Sequence, residues 1–182
     1  MTIFTALMGF LLLSGMPAQA QAPKALSQPS YPVTLTAYNA VAAQTDSNPL
    51  ETASGAYSNP EVVAARSQDL ADELPFGTII EVDGSNASKE TCGYGIVAPI
   101  IGYRVIADTM NARYTDRIDV LFAMKSNYVM SDGSTKNAGM ILGICKGITV
   151  RVVGHVNINR IPKTQAELAA IVGGGTKTIA LK

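Results

Sequence analysis

Alternating apolar and polar side chains mark PVTLTAYNA (32–40) as a half-buried strand, with Val33, Leu35 and Ala37 on one face and Thr34, Thr36 and Tyr38 on the other. GITVRVVGHVNI (147–158) is the clearest strand of the chain, RIDVLF (117–122) is β-branched and alternating, and EVVAAR (61–66) reads as a short buried strand. FGTIIEVDG (76–84) reads as a turn and then a strand ending at Asp83-Gly84. In GYGIVAPIIGYRVIAD (93–108) two apolar runs are split by Pro99 and Gly102, which predicts strands on both sides of a bend. Helical signals are short. SQDLADEL (67–74) allows one or two turns before Pro75, and a short helix is expected near 136–142 within an otherwise polar stretch. Thr164 and Glu167 form a T-x-x-E capping box ahead of LAAIV, a helix ended by the glycines at 173–175 and followed by a strand-like tail, TIALK. Segment 43–59, rich in Ser, Thr, Asn, Asp and Pro, is a loop by composition. Six or seven short strands with small helices predict one mainly β domain, a barrel or sandwich.

Composition narrows the function. Lys plus Arg and Asp plus Glu each total 14 in 182 residues, so there is no basic excess of the kind that marks a nucleic-acid binder. Residues 1–20 carry no charged side chain, hold an apolar run from Ile3 to Leu13, and end in Ala18-Gln19-Ala20, the A-x-A pattern of a signal-peptidase site. That run is shorter than the roughly 20 residues a membrane span needs. The expected organisation is a signal peptide over 1–20, a Pro- and Ser-rich lead-in over 21–31, a barrel domain over 32–160, and a C-terminal helix and tail over 161–182. The expected location is the periplasm or the cell exterior, with no transmembrane segment in the mature protein. There, Cys92 and Cys145 read as a disulfide closing a loop of about 50 residues, the alternative being two buried free thiols. One His and two Cys without C-x-x-C spacing make a poor metal-ligand set, and neither metal nor cofactor is expected.

The lone His155 lies mid-strand and reads as a packed residue rather than a catalyst, so Ser- or Cys-based triads are poorly supplied. Carboxylates remain. Asp108 ends one expected strand and Asp119 sits inside the next, flanked by Ile118 and Val120, where desolvating a carboxylate is costly unless it is paired or functional. Placed in one cleft, the two would have their pKa values pushed apart, giving one acid and one anion near neutral pH, as glycoside-cleaving enzymes require. The structural alternative is that Asp108 caps a loop and Asp119 pairs with Arg113 or Arg117.

The pattern D-T-M-N-x-R-Y-x-x-R-I-D over 108–119 resembles the signature of the 3D domain, a family named for three aspartates. In order along the chain, Thr36-Ala37-Tyr38, Gln44-Thr45-Asp46 with Pro49, Thr52-Ala53-Ser54-Gly55, Val63-Ala64, Leu74-Pro75-Phe76-Gly77-Thr78 and the strand 147–156 extend the resemblance over roughly residues 33–156. It implies a six-stranded double-psi β-barrel with short peripheral helices, the fold of the catalytic domain of membrane-bound lytic transglycosylase A. It also implies an exported protein acting on peptidoglycan glycan strands without a cofactor, cleaving the bond between N-acetylmuramic acid and N-acetylglucosamine. In that chemistry no water attacks. One carboxylic acid protonates the glycosidic oxygen, then as carboxylate takes the proton of the muramoyl C6 hydroxyl, which closes a 1,6-anhydro ring. By position in the motif Asp119 is the acid/base and Asp108 its electrostatic partner. Asp69 is nearest to the place of the third aspartate, one position further from Pro75 than the common spacing. Tyr38, Asp46, Thr52, Asn111 and Arg113 are the expected substrate-binding residues. Many family members read D-T-G-G-A-I-K-G where this chain has Met110 and Asn111 in place of the glycine pair. The alternative implied is a non-catalytic glycan-binding or structural module on the same barrel.

Overall fold

The computed structural model of the chain describes residues 28–45, 48–88 and 92–174; the segment expected to be a signal peptide, the strand-like tail TIALK and Asp46 lie outside the described residues. Six strands close into a barrel in the order β1 (Ser30–Asn39), β5 (Arg117–Phe122), β2 (Val63–Arg66), β4 (Tyr103–Thr109), β3 (Thr78–Asp83) and β8 (Cys145–His155). The pairs β1–β5 and β2–β4 are parallel, and the other four contacts around the ring are antiparallel. This is the mainly β, six-stranded closed barrel expected. A small hairpin, β6 (Asn127–Val129) with β7 (Thr135–Asn137), stands apart from it. The helices are α1 (Tyr94–Ile101), α2 (Ala138–Leu142) and α3 (Gln165–Gly173). No helix among the described residues is long and apolar enough to cross a membrane.

Strand alternation sorts the core into two clusters. All six barrel strands feed the first, through residues such as Leu35, Ala64, Ile80, Ile106, Val120 and Val150. Their opposite faces contribute Val63, Ala65, Ile79, Val105 and Leu121 to the second, which Leu168 of α3 joins. The capping box forms as expected, the Thr164 hydroxyl accepting from the Glu167 amide, and it fixes the start of α3.

Two local expectations are corrected. Residues 94–101 form α1, not a strand, because Val97 and Ile101, four apart, bury one helical stripe. Pro99 removes the internal bond to the Gly95 carbonyl, and both residues face the exposed side. His155 ends β8 exposed rather than packed, with Nδ1 3.4 Å from the Thr78 hydroxyl.

Cys92 and Cys145 are joined in a disulfide. It pins the start of α1 to β8, next to Gly93, where an added Cβ would lie 2.1 Å from the Ile141 carbonyl oxygen. The bridge spans 53 residues, and the chain-entropy relation assigns such a loop about 4 kcal/mol. Urea unfolding with and without reductant is expected to show a loss of that order, matched by Cys145→Ser. A loss under 1 kcal/mol would mean the reduced chain is already held compact.

Candidate functional site

The site is a row of residues across neighbouring strands. Thr36 of β1 pairs in register with Asp119 of β5, Asp119 with Ala65 of β2, and Ala65 with Asp108 of β4. The two carboxylates thus flank one alanine, two strand spacings apart, or about 10 Å between Cα atoms. A register shift makes this possible. Ala64 pairs with Ile106 and Ala65 with Asp108, so β4 carries one extra residue, and without it Ala107 would stand opposite Ala65. A bulge of this kind re-aims a side chain, and here it turns Asp108 toward Asp119. Ala65 has no bulk to separate them.

Asp108, Ala65 and Asp119 line a cleft of about 750 Å³, together with Tyr38, Asn111, Arg113 and Tyr114. Asp108 accepts three hydrogen bonds, the set a carboxylate takes. Tyr38 OH donates to Oδ2 at 2.8 Å, and the amides of Ala53 and Thr109 donate to Oδ1, each at 2.9 Å. Burial, reinforced by the Asp108 carboxylate, holds the Tyr38 phenol protonated far above its ordinary range. Among the described residues Asp119 has one hydrogen-bond partner, the Thr36 hydroxyl, which donates to Oδ1 at 2.8 Å. Desolvation raises its pKa to about 6 and the Asp108 charge adds to the rise; the Thr36 bond and the Arg117 guanidinium oppose it. With Oδ1 accepting from Thr36, Oδ2 is the oxygen free to carry a proton. One carboxyl is therefore an acid near neutral pH while the other is held by three donors.

Arg113 and Arg117 do not pair with Asp119. The single ion pair among the described residues is Arg151 with Glu81, at 3.0 Å. Asn111 and Arg113 take the cleft positions expected of them. Thr52 does not: it is buried, and its backbone and hydroxyl close a turn onto the Ala56 carbonyl, which presents the Ala53 amide to Asp108. Asp69 is not brought to the cleft either. It is exposed and accepts the amide of Asp116 at 2.8 Å, anchoring the left-handed residue (φ 50°) through which the 110–116 loop enters β5. Thr36 is the contributor that reasoning from the residues left unassigned. Its alternation on β1 was legible, but its parallel pairing with a residue 83 positions away was not. Among the described residues no group of three or more His, Cys, Asp or Glu gathers as a metal site.

No protein-family model matches the chain, and no curated protein matches it.

Proposed function

We propose that this is an exported glycan-cleaving protein of the cell wall, acting on the bond between N-acetylmuramic acid and N-acetylglucosamine through Asp119. The observation that carries the reading is the asymmetric carboxyl pair in one open cleft, with Asp119 raised to about 6 and Asp108 satisfied by three donors. The resemblance of 108–119 to the 3D-domain signature supplies the substrate class. In this reading Asp119 protonates the glycosidic oxygen from Oδ2. It then receives the C6 hydroxyl proton as that oxygen attacks the anomeric carbon, which regenerates the acid and leaves a 1,6-anhydro product. Thr36 orients the acid, and Asp108, fixed by Tyr38, raises its proton affinity and faces the positive charge developing on the sugar ring.

Incubation of the purified protein with sacculi, followed by mass spectrometry of the soluble products, tests the assignment. Muropeptides lighter than their hydrolytic counterparts by one water are expected. Binding without release would transfer the site to the non-catalytic module reading. The pH profile is a second check. Asp119 must be protonated for the first step, so release is expected to hold below pH 6 and fall about tenfold per unit above it. A rate that is flat between pH 5 and 8 would remove Asp119 from the acid role.

A further inference from the structure

We propose that Arg113, with Tyr114 and Arg117, forms a subsite at the cleft rim for a carboxylate carried by the glycan, an inference that rests on the cell-wall reading above. Arg113 is exposed, lines the cleft, and has no carboxylate within ion-pair distance among the described residues. Its guanidinium is nonetheless held in place. Nη2 donates to Tyr114 OH at 3.0 Å, and the guanidinium carbon lies 4.8 Å from the centre of that ring. Arg117 lies at the same 4.8 Å from the same ring. Two cations on one aromatic ring repel each other, and an arriving anion relieves that repulsion.

The mount is rigid. Asn111 Oδ1 accepts the Arg113 amide at 3.1 Å, the Asn111 carbonyl accepts the Tyr114 amide at 3.0 Å, and Asp69 anchors Asp116 where the loop ends. The bond to Tyr114 uses one of the five guanidinium N–H groups, and the four left still include one parallel pair of the planar fork that matches a carboxylate. Charge in the cleft is zoned accordingly. Asp108 and Asp119 stand together in the register row and Glu51 is also in the lining, so an anionic group is repelled there and drawn to Arg113, which leaves the neutral sugar ring to the acids. The carboxylate has two sources in such a polymer, the lactyl group of a muramoyl residue stripped of peptide and the acidic residues of an attached peptide.

Binding and turnover are to be measured on peptide-free glycan with free lactyl carboxyls, on peptide-bearing glycan, and on each after carboxyl amidation, for the wild type and for Arg113→Gln and Arg113→Lys. The expected result is roughly fivefold to tenfold tighter binding of one acidic form than of its amidated counterpart. Whichever acidic form shows the preference identifies the source. Arg113→Gln is expected to abolish that preference and raise KM with kcat within about twofold, and Arg113→Lys to restore part of it. Equal binding of acidic and amidated glycan by the wild type, or a preference that survives Arg113→Gln, overturns the subsite while leaving cleavage intact. Failure to bind or cleave any of the glycans overturns the cell-wall reading and the subsite together.

Discussion

Asp119→Asn is expected to lose muropeptide release by a factor of about 10²–10⁴, the usual worth of a positioned general acid, while becoming more stable than the wild type at pH 7.5. Asparagine keeps the shape and still accepts from the Thr36 hydroxyl, so the barrel has no reason to fail. The stability gain follows from linkage. In the native state Asp119 titrates at about 6, and in the unfolded chain at about 3.9. Between those values the native state holds a proton that the unfolded state has released, so stability falls as pH rises through the window and stays lower above it. For a side chain that still touches the cleft the penalty is on the order of 1–2 kcal/mol. The variant escapes it. Urea unfolding at pH 4, 5, 6 and 7.5 should show its advantage grow across the window and vanish at the acid end. A residue serving only the fold would lose stability on substitution, so a destabilised Asp119→Asn, or one that still releases muropeptides, contradicts the assignment.

The strands that build this site were legible because their side chains alternate. β1 and β5, which carry Thr36 and Asp119, were read from period two, and a carboxylate at Asp119 between Ile118 and Val120 stood out as a cost needing a reason. What alternation cannot carry is the order of strands around a ring. The parallel pairing of β1 with β5 puts Thr36 beside Asp119, and a single inserted residue in β4 puts Asp108 beside Ala65; neither is a local property. α1 was misread for a different reason. Pro99 and Gly102 are breakers in isolation, yet the burial of Val97 and Ile101 against the barrel outweighs one lost hydrogen bond on an exposed side. Two arginines were also illegible, since a long cation in a strand reads as solvent-facing. Arg66 is buried, with Nε donating to the Leu74 carbonyl at 2.9 Å and the guanidinium 5.0 Å from the Phe76 ring. Arg104 is the more consequential.

Arg104→Met is expected to cost about 3–5 kcal/mol, a large fraction of the stability of a domain this size. Arg104 is 1% exposed, and its guanidinium has no carboxylate in ion-pair contact among the described residues; backbone carbonyls take its place. Nε donates to Ile101 at 2.6 Å, Nη2 to Ile100 at 2.8 Å, and Nη1 to Pro60 at 2.7 Å and Leu121 at 3.1 Å. Ile100 and Ile101 end α1, where carbonyls lack helical partners and the helix dipole is negative, so the cation completes the helix as well as binding it. Burial lowers the pKa to about 10, which leaves the group charged at neutral pH. Methionine fills the volume but strands buried acceptors, each a penalty of about 1–3 kcal/mol before relaxation. Arg104→Lys keeps the charge without the planar reach and should lose roughly half as much. The effect extends to the site, because Arg104 and Asp108 share β4 and the Leu121 carbonyl lies two residues from Asp119. The urea midpoint of Arg104→Met should therefore fall with an unchanged m-value, and its residual activity should fall further than the folded fraction alone requires. An unfolding free energy within 1 kcal/mol of wild type would show that the carbonyls find other donors and that α1 is held by its apolar stripe.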